Sequence, residues 1–302
     1  MIDFIKVYTN TKEPLENRIK YDFLDSETKC SYDYFNKDPK YPCYRRFENI
    51  EVRITEKSAF VKNSIHTYFN LKNDFGTGNY TDFPYGDILT AFQQLQGDLN
   101  EDISDCKVTN LEFGLNIRTS LSPKQMLENN FLMFNFDEFN QYDTFKNKGS
   151  YKQYNRNEYY VKMYDKGLQY KLEYHLLRLE IKITDSKLLK KRFGIYTVQD
   201  IYEKSRLELL FKFLMDRFDE INIIDSYITQ EISGEEKMFF ELGKSPHYWR
   251  EIKNSKSRSY YYDLRAKYIN LIEKYQLDTI KKELHDLLVT KFQCLIGVLL
   301  NS

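Results

Sequence analysis

Three segments of the sequence alternate between apolar and polar residues at every second position. They are residues 110–117 (NLEFGLNI), 159–167 (YYVKMYDKG) and 176–183 (LLRLEIKI). Because successive side chains of a β-strand point to opposite faces of the sheet, each segment offers one apolar face to a core and one polar face to its surroundings. This pattern is typical of an antiparallel sheet that is packed on one side, and it constrains the fold more than any other feature.

The earlier part of the chain adds further elements. Residues 2–8 predict an opening strand, and the alternation within residues 50–69 predicts more strands, the last of them over residues 64–69. A helix with an apolar stripe follows, and Thr81 or Asp82 is its candidate N-cap. The sequence therefore predicts a sheet interrupted by helices.

The pattern changes after Ile183 and becomes helical from Thr197 onward. Two of the expected helices cover residues 260–275 and 277–300, and the segments ISGEEK and GKSPHYW are read as breaks between helices. Residues 135–157, which include Gly149, are read as a loop or hairpin. The expected fold class is α+β: an antiparallel-rich sheet with helices on one face in residues 1–192, and an α-helical region in residues 193–302.

The polar faces of the three alternating strands carry complementary chemistry. Glu112, Glu180 and Asp165 offer hard oxygen ligands for Mg²⁺ or Mn²⁺, with Asn116 as a further candidate. The candidates for binding a phosphate are Lys162, Lys166 and Arg178, and the candidate nucleophiles are Tyr160 and Tyr164. A solvated face of an ordinary sheet shows the same alternation, so the pattern alone does not establish a site.

These segments, taken in order, resemble a known family. MIDFIKVY, NSIHTYFN, GNYTDFPYGDI, VTNLEFGLNI, YYVKMYDKG and LLRLEIKI look like the replication-initiation proteins of filamentous phages, the gene II/X protein family. The last two blocks also resemble the rolling-circle plasmid initiators, which share the arrangement YDK followed by R-x-E. The resemblance covers roughly residues 1–190.

The resemblance implies a metal-dependent enzyme that nicks and rejoins one DNA strand at a double-stranded origin. A tyrosine of the family forms a 5′-phosphotyrosyl link and leaves a free 3′-OH. Glu112 and Glu180 match the family's acidic positions, Asp165 and Lys166 match the YDK signature, and Asn116 stands where a second acid is expected. The candidate nucleophiles are then Tyr164, which matches the motif, and its neighbours Tyr160, Tyr159, Tyr154 and Tyr151.

Two other readings of the site remain open. Asn116 in place of an acid is consistent with an inactive protein of the same fold that binds the origin, and packing tyrosines alone would suit a non-enzymatic interaction protein. The expected partners are origin DNA, as duplex and single strand, and a host helicase, because no segment resembles a P-loop. The histidines form no H-x-H pair, and His66 is either a ligand, a DNA contact or a buried, hydrogen-bonded side chain.

Binding to DNA requires a local patch, because 45 Lys and Arg residues balance 45 Asp and Glu residues. Residues 244–274 contain eight basic and three acidic residues interleaved with aromatic ones. This composition suits phosphate contacts and base stacking, although a solvated helix pair looks similar. The predicted DNA-binding residues are Lys162 on the sheet and Lys253, Lys256, Arg258, Arg265 and Trp249 in this segment.

The cysteines and the ends of the chain indicate a cytoplasmic protein. Cys30, Cys43, Cys106 and Cys294 form no C-x-x-C pair, so free, reduced thiols are expected. The first residues are too charged for a signal peptide, and the apolar run CLIGVLL is far shorter than the ~20 residues of a membrane span.

Overall fold

The computed structural model describes residues 1–20, 28–32, 39–140, 150–226 and 231–297. The predictions about Gly149 and about a helix continuing to Leu300 therefore fall outside the described residues. The strands are β1 (Ile2–Thr9), β2 (Thr28–Tyr32), β3 (Pro39–Phe47), β4 (Ile50–Ile54), β5 (Ala59–Ser64), β6 (Lys107–Arg118), β7 (Phe131–Phe134), β8 (Tyr151–Asn155), β9 (Tyr159–Asp165), β10 (Leu176–Ile183) and β11 (Ile221–Ile223).

The helices are α1 (Glu13–Lys20), α2 (Ile65–Lys72), α3 (Tyr85–Leu99), α4 (Pro123–Asn129), α5 (Lys166–Tyr170), α6 (Ser186–Phe193), α7 (Val198–Ile201), α8 (Lys204–Asp219), α9 (Gly234–Gly243), α10 (Pro246–Ser255), α11 (Arg258–Lys274) and α12 (Thr279–Ile296). Those of the last hundred residues follow one another with little strand between them. This distribution agrees with the helical region that the sequence predicts there.

The main sheet has the strand order β2-β3-β4-β5-β1-β6-β10-β9-β8, and all neighbouring strands are antiparallel. The predicted α+β class with an antiparallel sheet is confirmed. The three alternating segments become β6, β10 and β9, which are direct neighbours. Their polar faces therefore lie side by side, next to the opening strand β1.

The opposite, apolar face of the sheet is covered by helices. Helices α6, α8 and α12 pack against β6, and the ring of Phe113 on β6 meets the ring of Phe292 on α12 edge-on at 6.4 Å. The core around them is continuous from β1 to α12. Helices of the C-terminal region thus share a core with the sheet, while the division of the chain at residue 192 stays a prediction.

A second, smaller core lies among α9, α10 and α11. Trp249, Tyr268 and Phe240 are fully buried there, against Met133 and Phe136 from the segment around β7. Strand β7 pairs with β11 to form a small separate sheet. The sequence analysis did not predict these two short strands.

Three local predictions are wrong. Residues 65–72 form helix α2 and not a strand, because the Ser64 side chain accepts a hydrogen bond from the Thr67 amide at 3.0 Å and caps the helix. The next helix begins only at Tyr85, with Pro84 as its N-cap residue in place of Thr81 or Asp82. The segments ISGEEK and GKSPHYW are not simply breaks, since they contain the first turn of α9, which begins at Gly234, and the first turn of α10, which has Pro246 at its start.

The expectation of four free thiols is also wrong. Cys30 on β2 and Cys43 on β3 form a disulfide, and their Cα atoms are 4.5 Å apart. Their separation of 13 residues gives no hint of this, because only the pairing of β2 with β3 brings the two side chains together. Cys106 and Cys294 are free. No helix among the described residues is long and apolar enough to cross a membrane.

Candidate functional site

The register of β6, β10 and β9 arranges the polar side chains in rows across the sheet. Each residue of β10 faces one partner on either side, so residues far apart in sequence become neighbours. The rows are Asn116–Arg178–Tyr164, Gly114–Glu180–Lys162 and Glu112–Lys182–Tyr160. The structure therefore brings seven of the predicted site residues onto one patch of the polar face, namely Glu112, Asn116, Tyr160, Lys162, Tyr164, Arg178 and Glu180.

Three buried carboxylates converge on this patch. Asp3 of β1, Glu112 of β6 and Glu180 of β10 each have a carboxylate oxygen within 4.8 Å of the others. Asp3 was not among the site residues predicted from the sequence, although an acid inside the apolar opening strand was a usable signal. Three hard oxygen donors are the kind of ligand set that Mg²⁺ and Mn²⁺ prefer, so the residues present fit such an ion.

Two lysines neutralise part of this charge. The Lys162 Nζ atom lies 3.0 Å from Glu112 Oε1 and 2.8 Å from Glu180 Oε1, and Lys182 Nζ lies 2.9 Å from the same Glu112 oxygen. Burial by itself would lower the pKa of Lys162, but the carboxylates of Glu180 and Glu112 raise that pKa above its ordinary value. Lys162, which the sequence analysis assigned to DNA, is thus a protonated partner of the carboxylates in this structure.

Arg178 is a deeply buried cation of the patch, with a side chain 3% exposed. Its Nε donates to Glu180 Oε2 at 2.5 Å, and its terminal nitrogens donate to Asn116 Oδ1 at 2.9 Å and to Asp3 Oδ2 at 3.4 Å. Burial alone would raise the pKa of Glu180, but Lys162 and Arg178 hold it well below its usual range. Glu180 is therefore ionised at neutral pH.

Asn116, a predicted metal ligand, connects the sheet to the segment of residues 78–81. Its Oδ1 accepts from Arg178, and its Nδ2 donates to the backbone oxygens of Asn79 at 3.3 Å and Tyr80 at 3.2 Å. The Asn79 side chain in turn donates to Asp3 and accepts from Lys166 Nζ at 2.6 Å. This segment covers one end of the polar face and fixes Asp3 beside Arg178.

Tyr164 lies at the edge of the carboxylate cluster. Its hydroxyl donates to Glu180 Oε2 at 3.3 Å, and Lys166 Nζ lies 3.5 Å from the same hydroxyl oxygen. Burial, reinforced by the charge of Glu180, raises the pKa of Tyr164 well above its ordinary value. Burial and the nearby Arg178 lower the pKa of Lys166 to about 7. The phenol is protonated in this arrangement, and the Lys166 amine lies within reach of it.

The other tyrosines divide between the two faces of the sheet. Tyr160 shares the polar face with Tyr164, and Tyr151 stacks on the Tyr164 ring at a centroid distance of 5.6 Å. Tyr154 and Tyr159 are buried against aromatic side chains of the core. Tyr151, Tyr160 and Tyr164 thus lie on the polar side of the sheet, and the Tyr164 hydroxyl donates to one of the carboxylates.

Asp165 and Gly114 have local structural roles. The Asp165 carboxylate accepts from the Leu168 amide at 2.8 Å and caps helix α5, and strand alternation puts it on the face opposite to Tyr164. A Cβ atom at Gly114 would lie 2.4 Å from Glu180 Cβ. The space beside Gly114, which the sequence analysis assigned to an approaching backbone or nucleotide, is therefore occupied by Glu180.

His66 is buried and hydrogen-bonded. Its Nε2 lies 3.1 Å from Thr81 Oγ1, and its ring stacks on Phe83 at 4.5 Å. Burial, followed by the positive charges of Arg178 and Lys166 among its neighbours, lowers the pKa of His66 to about 2. Of the three readings given above, the structure agrees with the buried, satisfied histidine.

The basic segment of residues 244–274 forms α10 and α11. Lys256 and Arg258 are exposed at the turn between them, and among the described residues neither takes part in an ion pair. Lys253 lies 3.4 Å from Asp137, and Arg265 donates to Asn135 Oδ1 at 2.6 Å. Lys256 and Arg258 are thus the cations of this set most accessible to an external phosphate.

Trp249 has a core role in the structure. Its side chain is completely buried, and its indole nitrogen donates to the backbone oxygen of Gly243 at 2.8 Å. The exposed aromatic rings of the segment are those of Tyr260 and Tyr262, which are 47% and 49% exposed. Base stacking, if it occurs here, falls to these tyrosines, because a buried indole offers no free face.

Comparisons with known proteins give limited information. No family model matches the sequence, and none of the curated proteins compared with it matches. The chain is similar to a solved structure, the rolling circle replication initiator protein from Geobacillus stearothermophilus, with 12% identity over 76% of this chain and 88% of that chain and a TM-score of 0.39. A similarity at this level does not assign a function, so the functional case rests on the site.

Proposed function

We propose that the protein is a rolling-circle replication initiator that nicks and rejoins one DNA strand through Tyr164. The observation that carries this proposal is the position of the Tyr164 hydroxyl, 3.3 Å from Glu180 in a cluster of three buried carboxylates and several cations. A hydroxyl nucleophile beside hard-metal ligands is the arrangement that phosphoryl transfer to a tyrosine requires.

In the proposed reaction, the Tyr164 oxygen attacks a phosphodiester phosphorus while its proton passes to the Glu180 carboxylate that accepts its hydrogen bond; the bond from phosphorus to the 3′ oxygen breaks, and that oxygen takes up a proton. The DNA is then joined to Tyr164 through its 5′ phosphate, and the 3′-OH is free. The reverse attack by a 3′-OH rejoins the strand without ATP, because the phosphotyrosyl bond keeps the energy of the phosphodiester. Glu180 orients the phenol through its hydrogen bond, and the Lys166 Nζ atom lies 3.5 Å from the attacking oxygen.

Asp3, Glu112 and Glu180 would hold Mg²⁺ or Mn²⁺. The chemistry that such an ion supplies when bound is polarisation of a phosphate oxygen and stabilisation of the developing charge. Arg178 fixes Asp3 and Glu180 by donating a hydrogen bond to each carboxylate, and Asn116 fixes Arg178 by accepting a hydrogen bond from it. We assign contact with duplex DNA to Lys256 and Arg258 of the α10–α11 turn, with Lys253 and Arg265 beside them.

The test is covalent capture. The protein is incubated with Mn²⁺ and a labelled single-stranded oligonucleotide pool of randomised sequence, and SDS-stable adducts are separated and mapped by mass spectrometry. We expect an adduct at Tyr164 that is lost in Tyr164→Phe and retained in Tyr160→Phe, its control on the same face. An adduct at Tyr160, or none with any substrate, would contradict the assignment.

A second function has its own support. Lys162, Arg178 and Lys182 already provide a cation to every carboxylate of the cluster, so the patch is electrostatically satisfied as it stands. An origin-binding protein that does not nick DNA would use the same fold with such a neutralised patch. It would bind single-stranded and duplex DNA and give no adduct in the capture experiment.

A further inference from the structure

Lys162 occupies the position between two carboxylates of the candidate metal centre. Its Nζ atom lies 3.0 Å from Glu112 Oε1 and 2.8 Å from Glu180 Oε1. Since Mg²⁺ binds carboxylate oxygens at about 2.1 Å, an ion sharing these oxygens would be a like charge within about 5 Å of the ammonium. The ammonium and a divalent ion therefore compete for Glu112 and Glu180.

Two cations each contact two carboxylates of the cluster, Arg178 and Lys162, and of these two Lys162 is the one that can leave. Arg178 is 3% exposed and is held by Glu180, Asp3 and Asn116 together. The Lys162 side chain is 14% exposed, and within the described residues its hydrogen bonds go to Glu112 and Glu180. A lysine carries a point charge on a flexible stem, and Glu180 keeps its contact with Arg178 when that charge moves away.

The strand also determines where the Lys162 ammonium lies after it has left Glu112 and Glu180. Lys162 lies between Tyr160 and Tyr164 on the polar face of β9. An ammonium that leaves the carboxylates stays beside both tyrosines, where a scissile phosphate must lie for either of them to attack it. Its charge is then free for a phosphate oxygen.

We propose that Lys162 is an exchangeable internal cation, which a divalent ion displaces from Glu112 and Glu180 and which then binds a phosphate of the DNA strand. This inference rests on the proposed function, because it uses the same metal centre. It predicts that the divalent ion and single-stranded DNA each tighten the binding of the other, since coupling between two ligands is reciprocal.

The test is a calorimetric titration of Mn²⁺ into the full-length protein, with and without oligothymidylate as the single strand. In the wild type, we expect the oligonucleotide to tighten Mn²⁺ binding. In Lys162→Met, we expect Mn²⁺ to bind about tenfold more tightly without DNA and to gain little from DNA. Lys62→Met is the control. Lys62 carries the same charge and forms an ion pair with Glu51, with 3.0 Å between Nζ and Oε1, but it does not belong to the carboxylate cluster.

Circular dichroism reports whether each variant folds, and Lys162→Gln, which keeps an N–H donor without the charge, replaces Lys162→Met if that variant does not. Equal Mn²⁺ affinity in wild type and in the folded Lys162 variant would overturn the exchange and leave the metal centre unchallenged. Absence of Mn²⁺ binding in all of them would overturn the exchange and the metal centre together. Tighter binding in the variants with no covalent adduct in the capture experiment would uphold the exchange and refute the nicking function.

Discussion

Gly114→Ala is the substitution that tests most directly how β6 and β10 hold Glu180 in place. The added Cβ would lie 2.4 Å from Glu180 Cβ, 2.7 Å from the Leu179 carbonyl oxygen and 2.9 Å from Glu180 Cα. None of these atoms is the far end of a flexible side chain, so the two strands have to move apart. Overpacking of this kind costs about 1–3 kcal/mol, and the involvement of backbone atoms places our expectation at about 3 kcal/mol.

The assay is equilibrium unfolding in urea, compared with wild type and with Gly97→Ala. Gly97 is exposed in helix α3, and a Cβ there would have no atom within 4 Å. Alanine is a better helix former than glycine, so Gly97→Ala should stabilise the protein by about 0.5–1 kcal/mol. The two glycine-to-alanine changes are therefore expected to act in opposite directions. A Gly114→Ala variant as stable as wild type would refute the close strand approach on which the position of Glu180 depends.

Two further predictions concern pH and salt. The pKa of His66 is near 6.5 in the unfolded chain and about 2 in the folded protein, so the free energy of unfolding should fall as pH drops below 6.5, by about 2 kcal/mol at pH 5. In urea titrations at neutral pH and at pH 5, His66→Gln should remove that part of the loss, and an equal pH dependence in wild type and variant would contradict this. Substituting both Lys256 and Arg258 by Glu should weaken DNA binding and reduce the slope of log affinity against log salt concentration by about 2. The same change at the exposed Lys187 and Lys191 of α6 should do neither. If fluorescence anisotropy titrations gave the same affinity and slope as wild type, the α10–α11 turn would not belong to the DNA-binding surface.

Several features of the protein follow from local sequence. Alternation at every second residue is a property of the strand itself, so it correctly separates Glu112, Glu180 and Lys162 from the apolar side chains of the same strands. The helical pattern of the C-terminal region has the same local origin. These predictions need no knowledge of which strands are neighbours.

Predictions from the local sequence pattern failed where a side-chain hydrogen bond sets the backbone conformation. Residues 64–69 alternate like a strand, but the Ser64 cap and the positive φ of Asn63 turn the chain into helix α2. Trp249 shows the same limit for side chains. Its neighbours in sequence are basic and aromatic, as at a DNA-binding surface, yet helix packing buries it completely.

The tertiary structure alone decided which groups meet. Asp3 joins Glu112 and Glu180 because β1 pairs with β6, a contact between residues more than a hundred positions apart. Cys30 meets Cys43 for the same reason, through the pairing of β2 with β3. Lys162 lies on the carboxylates because the register of β9 against β10 sets it opposite Glu180. The sequence by itself determined the chemistry each strand offers on its polar face, and strand order and register, which depend on the packing of the whole core, determined how that chemistry is combined.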